Sequence, residues 1–325
     1  MRQYIADVSD GDTLDGVFLL ADKQLRANRN ANLYLLVDLR DRSGGLHARM
    51  WNVSEAFAAT LRTGQLVRAG GKVQLFQGTL QAILTQISPV SSQDYDLSEF
   101  IPRASVQAEH LGERLRAILR QVEHPHLQAL VQAFLNDGEL MARLIQAPAG
   151  VKTHHAAIGG LIEHVVSMLE VALRIAPLYP TLNLDLLLTG VFLHDLGKVR
   201  ELAWDVGLTY TDEGQLLGHV VLVLELLQEK VRAAEAALGE PLDADLLLQL
   251  KHLIVSHHGA YEFGASRLPM TPEALALWLI DTLDAKLHEF TQQIEGDPNT
   301  NSNWTPFNPR LDRKLFKGGR TTRGA

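Results

Sequence analysis

Hydrophobic periodicity in this chain changes once, near residue 90, and that change divides the fold. Before it, apolar positions come in short runs at 14–20, 33–39, 46–51, 66–75 and 80–87. β-Branched, aromatic and leucine residues fill these runs. Turn chemistry separates them, with Asp41-Arg42-Ser43-Gly44-Gly45 after the second and Gln77-Gly78 after the fourth. Such runs between Gly, Ser and Asp clusters predict strands. Ser54 predicts the cap of a short helix reaching about Leu61 and ended by Gly64. From about Ser105 onward the spacing is helical. Leu111, Leu115, Ile118, Leu119 and Val122 recur at steps of three and four, as do Leu127, Leu130, Val131 and Phe134.

Five strands with a helix between the third and fourth is the order of an OB-fold barrel. The predicted fold class is therefore multidomain, an all-β barrel followed by an all-α domain. The 325 residues hold two or three compact units. Their predicted bounds are 1–90 for the barrel, 91–150 for a helical connector, 151–296 for the main helical domain and 297–325 for a basic, flexible tail. Further helices are predicted near 159–175, 184–193, 218–237, 243–257 and 272–290, the last started by Thr271-Pro272.

There are no cysteines, which excludes disulfides, thiolate zinc sites and cysteine nucleophiles and fits a reducing compartment. The N-terminus lacks a basic stretch followed by an apolar run, and no apolar run is long enough for a membrane helix. A cytoplasmic location without membrane contact is the expectation. The net charge of −8 is unevenly spread: residues 91–309 carry 14 Lys/Arg against 29 Asp/Glu, whereas 310–325 carry 6 against 1. An acidic centre suits cation binding, and the less acidic ends suit approach to a polyanion.

Five polar interruptions of apolar helices carry the chemistry. His164 lies in Gly159-Gly160-Leu161-Ile162-Glu163-His164, and thirty residues later comes His194-Asp195-Leu196-Gly197-Lys198. Leu217-Gly218-His219 opens the next helix, His257-His258-Gly259 closes another, and Asp281 stands inside Trp278-Leu279-Ile280-Asp281-Thr282-Leu283-Asp284. A lone histidine on such a face is usually a satisfied core residue. A carboxylate there costs several kcal/mol unless it is paired or bound to metal. Five together, in the order H…HD…H…HH…D, point to a metal centre.

This pattern resembles the HD superfamily of metal-dependent phosphohydrolases, with HDLGK as the central signature. The resemblance implies that His164, His194, Asp195 and Asp281 hold one divalent ion. It implies a second ion sharing Asp195 and adding His219 and His257, with His258 as an alternative to His257. Asp284 is the rival to Asp281. Imidazole and carboxylate donors suit Mn²⁺, Fe²⁺, Co²⁺, Ni²⁺ or Zn²⁺ without choosing among them. Two such ions acidify water and stabilise phosphoryl oxygens during in-line displacement. Lys198 is placed to neutralise another phosphate oxygen. His258 and His155 are candidates for the leaving-group acid.

A closer resemblance is to the YhaM-type 3′→5′ exoribonucleases, which join an OB-fold to an HD domain in this order. It rests on the run from Tyr34 to Trp51, His154-His155-Ala156, the Gly159–His164 motif, YTDEGQLLGH at 210–219, Ser256-His257-His258-Gly259 and Leu283-Asp284-Ala285-Lys286. It implies release of 5′-mononucleotides from the 3′ end of single-stranded RNA, with DNA a second substrate, two divalent ions (manganese foremost), and substrate contact by His154 and His155. A homo-oligomer is left open. On the barrel, Phe18, Tyr34, Trp51 and Phe76 are candidate stacking surfaces, and Lys23, Arg26, Arg29, Arg49, Arg68 and Lys72 candidate phosphate contacts. The alternatives are an HD-type nucleotide or cyclic-dinucleotide phosphodiesterase and a non-catalytic single-strand-binding protein.

Overall fold

The computed structural model describes residues 3–28, 30–76, 78–100, 108–151, 157–204, 207–297, 299 and 301–318. Five strands, β1 (Thr13–Ala27), β2 (Leu33–Asp41), β3 (Gly44–Trp51), β4 (Leu66–Phe76) and β5 (Thr79–Pro89), close a barrel in the order β1-β2-β3-β5-β4. All neighbours are antiparallel except β3 and β5. The expected helix α1 (Glu55–Thr60) lies between β3 and β4, with the Ser54 hydroxyl accepting from the Phe57 amide.

Alternation makes the barrel core. In β2, Leu35, Val37 and Leu39 are buried while the residues between them are partly exposed. Their partners inside include Leu14, Phe18, Leu20, Ala82 and Leu84. Phe18 is 1% exposed, which corrects its assignment as a stacking surface: the period-two pleat turns it inward. The expectation for Lys23 is corrected too. Its Nζ donates to the carbonyls of Ala58, at 2.7 Å, and Leu61, so it caps the end of α1.

The helical part comprises α2 (Ala108–Leu119), α3 (Pro125–Leu135), α4 (Gly138–Gln146), α5 (Gly160–Ile175), α6 (Leu184–Leu193), the single turn α7 (Lys198–Glu201), α8 (Asp212–Leu238), α9 (Ala244–Ser256) and α10 (Pro272–Glu295). A two-stranded ribbon, β6 (Leu202–Ala203) with β7 (Thr209–Tyr210), separates α7 from α8. Helix α6 is apolar on every side, and all eight residues from Leu186 to Leu193 are buried. At roughly 1.5–3 kcal/mol per fully buried large aliphatic side chain, this helix is the anchor of the domain. The His-Asp pair follows its last turn, so it stands at the end of a largely buried helix.

The chain forms two compact units. One contains residues 1–102, 205–208 and 289–325, the other residues 103–204 and 209–288. The C-terminal segment differs from the flexible tail expected of it. Trp304 bridges Phe316 and Asn308 bridges Arg313, Thr305, Leu311 and Leu315 are buried, and the Lys317 ammonium meets Asp297 Oδ2 at 2.6 Å with both side chains buried. Polar composition concealed a clip that folds back on itself.

Candidate metal centre

Four helix ends or interiors deliver histidines to one carboxylate. His164 projects from the second turn of α5, His194 and Asp195 follow α6, His219 lies in α8, and His257 and His258 follow α9. Asp195 Oδ2 lies 3.5 Å from His194 Nε2 and 3.8 Å from His164 Nε2. Its other oxygen, Oδ1, lies 3.3 Å from His219 Nε2 and 3.7 Å from His257 Nε2. The carboxylate therefore has one oxygen toward each pair. Asp281 Oδ1 stands 3.3 Å from His164 Nε2, on the first side.

In all four imidazoles Nδ1 is held from behind. His194 Nδ1 donates to the Val191 carbonyl at 2.8 Å and His257 Nδ1 to the Ile254 carbonyl at 2.7 Å. His164 Nδ1 donates to Asp284 Oδ2 at 2.7 Å, and His219 Nδ1 donates to Glu201 Oε1 at 3.2 Å. A neutral imidazole donating from Nδ1 presents a lone pair at Nε2. With all four rings neutral, lone pairs and carboxylate oxygens would face one another across a buried space, an arrangement that calls for positive charge between them, a part that protonated His164 takes without a metal. The Nε2 atoms of His194 and His219 are buried with no hydrogen-bond partner among the described residues. Buried orphans of this kind are rare in proteins and fit a metal.

The donor atoms form two groups that could hold an ion. His164, His194 and Asp281 make one and His219, His257 and His258 the other, the atoms within each lying within 4.8 Å of one another. Asp195 lies between them. Asp281 and Asp284, open in the sequence, separate by position: Asp281 is on the Nε2 side of His164 and Asp284 on the Nδ1 side, where it also accepts from Ser167 Oγ at 2.5 Å. One helical turn puts both carboxylates on the same ring.

Electrostatics follow the charges. Burial pushes the His164 imidazole down, but hydrogen bonds to Asp281 and Asp284 outweigh it and raise its pKa to about 9. Burial opposes ionisation of Asp195, yet Lys198 and His194 hold it well below the usual carboxylate range. Lys198 Nζ donates to Asp195 Oδ2 at 2.6 Å, and this contact overcomes the burial that would otherwise discharge the amine. Burial and the neighbouring imidazoles drive His257 well below its ordinary value, and burial and His219 lower His258.

Backbone geometry explains the glycines. A Cβ on Gly197 would lie 2.0 Å from the His219 carbonyl oxygen, so only glycine lets α8 cross the turn after the His-Asp pair this closely. Gly218 has φ +73° and breaks the helical path of α8, which frees the His219 amide to donate to Glu201 Oε1 at 3.1 Å. Thr211, at the start of the same motif, caps α8 by accepting from the Gly214 amide.

Comparison with known proteins agrees with this geometry. An HD domain model matches residues 161–286, and an OB-fold nucleic acid binding domain model matches residues 20–90. A 3′-5′ exoribonuclease YhaM of Oceanobacillus iheyensis is 33% identical over 296 residues, covering 91% of each chain. The chain belongs to the YhaM family. Among solved structures, the second OB-fold domain of replication protein A from Methanococcus maripaludis is similar to 28% of this chain over 97% of its own, at 14% identity and a TM-score of 0.24 in solution. Its crystal form gives 18% and 0.23 over the same shares.

For this YhaM-family chain, sequence reasoning brought out the residues around Asp195 but missed Glu201 and Ser167. Burial disfavours the Glu201 carboxylate, but its contacts with His219 lower its pKa, so it stays charged behind that ring. The available signal was an acid between Val199 and Leu202, six residues after Asp195. On the barrel, Tyr34 and Trp51 do come together, ring centroids 5.1 Å apart, with the Arg49 guanidinium 5.4 Å and 5.0 Å from them. Trp51 is 42% and Phe76 48% exposed. Lys72 is exposed, Arg26 donates to Gln24 Oε1, and Arg68 pairs with Asp15 at 3.1 Å. Arg29, His154 and His155 lie outside the described residues.

Proposed function

We propose that this chain is a metal-dependent 3′→5′ exonuclease that hydrolyses phosphodiester bonds of single-stranded RNA and releases 5′-mononucleotides. The observation that carries the reading is the convergence of four imidazole Nε2 atoms on the two oxygens of Asp195. The 3′-5′ exoribonuclease YhaM name of the Oceanobacillus relative supports the substrate and direction. His164, His194, Asp195 and Asp281 would hold one divalent ion, and Asp195, His219, His257 and His258 a second, with manganese the ion that the family resemblance favours. Such ions supply Lewis-acid charge and make water acidic near neutral pH.

The chain's own groups complete the chemistry. Asp284 and Glu201 hold the rings of His164 and His219 in the tautomer that presents Nε2. Lys198 keeps a positive charge beside Asp195, where it offsets charge developing on a phosphate oxygen. His258, also a candidate for the leaving-group proton, is drawn into the second donor group with His219 and His257, which favours the ligand role. The barrel would hold the strand by stacking on exposed aromatics and by backbone charge. A cytoplasmic location is part of this reading and is supported by the exoribonuclease relative; no helix among the described residues is long and apolar enough to cross a membrane.

The test is a 5′-labelled oligoribonucleotide incubated with the protein and Mn²⁺, beside an oligodeoxyribonucleotide and a panel of nucleotides and cyclic dinucleotides. A ladder shortening from the 3′ end is expected. Turnover of nucleotides or cyclic dinucleotides alone defeats the exonuclease in favour of another phosphodiesterase.

A further inference from the structure

The barrel unit carries an open groove of about 690 Å³ whose wall is not made by the barrel alone. Strands β1, β2, β3 and β5 supply its floor, and Phe76 at the end of β4 stands at one side. Pro306 and Phe307, from the C-terminal clip, complete the lining. Pro306 lies 3.5 Å from where a Cβ on Gly78 would be, which sets the clip against the β4–β5 turn. Phe307 is 53% exposed despite sitting in a structured segment.

Several observations show that this clip is built to hold its position. The Lys317–Asp297 ion pair is buried at both ends, and Lys317 Nζ also donates to the Asn299 carbonyl. Breaking such a pair leaves a buried charge, so the clip has one strongly preferred closure. Arg310 pairs with Glu289, itself almost wholly buried, and the Thr305 amide donates to the Leu315 carbonyl at 2.9 Å. An aromatic ring left half bare on so firmly fixed a backbone is what a stacking surface requires, because little entropy is lost when a flat ligand lands on it.

Charge across the groove orients the ligand. Register places Arg26, Tyr34 and Trp51 in one cross-strand row and Gln24, Leu36 and Arg49 in the next. The row after that is Asp22, Asp38, His47 and Gln81. The Arg49 Nε is buried with no hydrogen-bond partner among the described residues, so its cation is only partly compensated by the rings beneath it. Phosphates are attracted to the arginine rows more than to the Asp22/Asp38 row, where His47 is already paired with Asp38. A strand bound here would keep its backbone on the arginines and turn bases toward the acidic row and the aromatic walls.

From this we infer that the C-terminal clip is part of the barrel's single-strand site, with Phe307 as a base-stacking residue opposite the strand's phosphate contacts. The inference rests on the reading of the chain as an enzyme of single-stranded nucleic acid, and names a residue that reading does not contain.

The experiment uses the full chain with EDTA and a fluorescein-labelled ten-nucleotide oligoribonucleotide, followed by anisotropy at several salt concentrations. Phe307→Ala is expected to weaken binding by about fivefold to a hundredfold, the range for loss of one stacked base. Phe307→Trp restores it. The slope of log affinity against log salt stays at the wild-type value for Phe307→Ala, whereas Arg49→Gln lowers it by about one. Wild-type affinity in Phe307→Ala, with Phe76→Ala weakened, removes the clip from the site. A changed salt slope in Phe307→Ala, or an unfolding midpoint below wild type, assigns any loss to rearrangement and also overturns the inference. Failure of the wild-type chain to bind or shorten the oligonucleotide instead defeats the underlying function.

Discussion

The Nδ1 of His164 and Oδ2 of Asp284 are 2.7 Å apart, on the face of the imidazole turned away from Asp195. A carboxylate in that position fixes the ring and makes Nε2 more basic. Asp284→Asn keeps the shape and removes the charge. Metal affinity is expected to fall about 10- to 100-fold, with activity recovered at high Mn²⁺. Calorimetric titration of metal-stripped protein measures it. Unchanged affinity would mean that Asp284 serves folding alone.

Asp195 differs because each of its oxygens faces a separate histidine pair. Asp195→Asn is expected to abolish hydrolysis beyond rescue by excess metal while oligonucleotide affinity in EDTA stays near wild type. Elemental analysis of protein prepared without chelator should show metal content reduced against wild type. Turnover above a small residue would place the reacting centre elsewhere.

His164 makes metal binding depend on pH. Its folded pKa of about 9 lies above the ordinary 6.5 because Asp281 and Asp284 outweigh burial. In metal-free protein the contribution of this protonated ring to stability is complete below about 6.5 and is lost as pH rises through about 9. The unfolding midpoint of stripped protein should therefore decline across that interval through this group, and His164→Gln should flatten the decline. Metal requires the neutral ring, so binding at pH 7 should release about one proton from His164. Calorimetry in two buffers of different ionisation enthalpy reads that number, and a value of zero contradicts the assigned charge state.

Gly197→Ala tests the packing that delivers His219. The new Cβ meets backbone at 2.0 Å, at the His219 carbonyl, and at 2.8 Å, at the Val223 amide, and neither can swing aside as a side chain would. A loss of about 1–3 kcal/mol is expected, with the second metal group disturbed more than the first. Denaturant unfolding combined with metal titration follows both effects. Wild-type stability would show that α8 can move away freely.

The barrel was legible because short apolar runs are separated by turns that carry Gly, Ser or Asp where the chain reverses. The helices were legible for the same kind of reason, as with Thr271-Pro272 before α10. Phe18 was misassigned because aromatic character says nothing about which pleat face is inward. Lys23 was misassigned because its acceptors, Ala58 and Leu61, are more than thirty residues away. The clip was invisible because its closure rests on pairings such as buried Lys317 with Asp297 and Arg310 with Glu289, in an otherwise polar stretch.

What the linear order of residues determined by itself was the set of donor types and the elements carrying them: histidines and aspartates set into apolar helices, after a barrel. Those depend on local periodicity and on the cost of burying charge, both readable within one segment. Tertiary structure alone decided which atom of each ring faces inward, that Asp281 and Asp284 take opposite sides of His164, and that Glu201 stands behind His219. These are relations among helices distant along the chain, fixed by packing distances of a few ångströms that no spacing rule encodes.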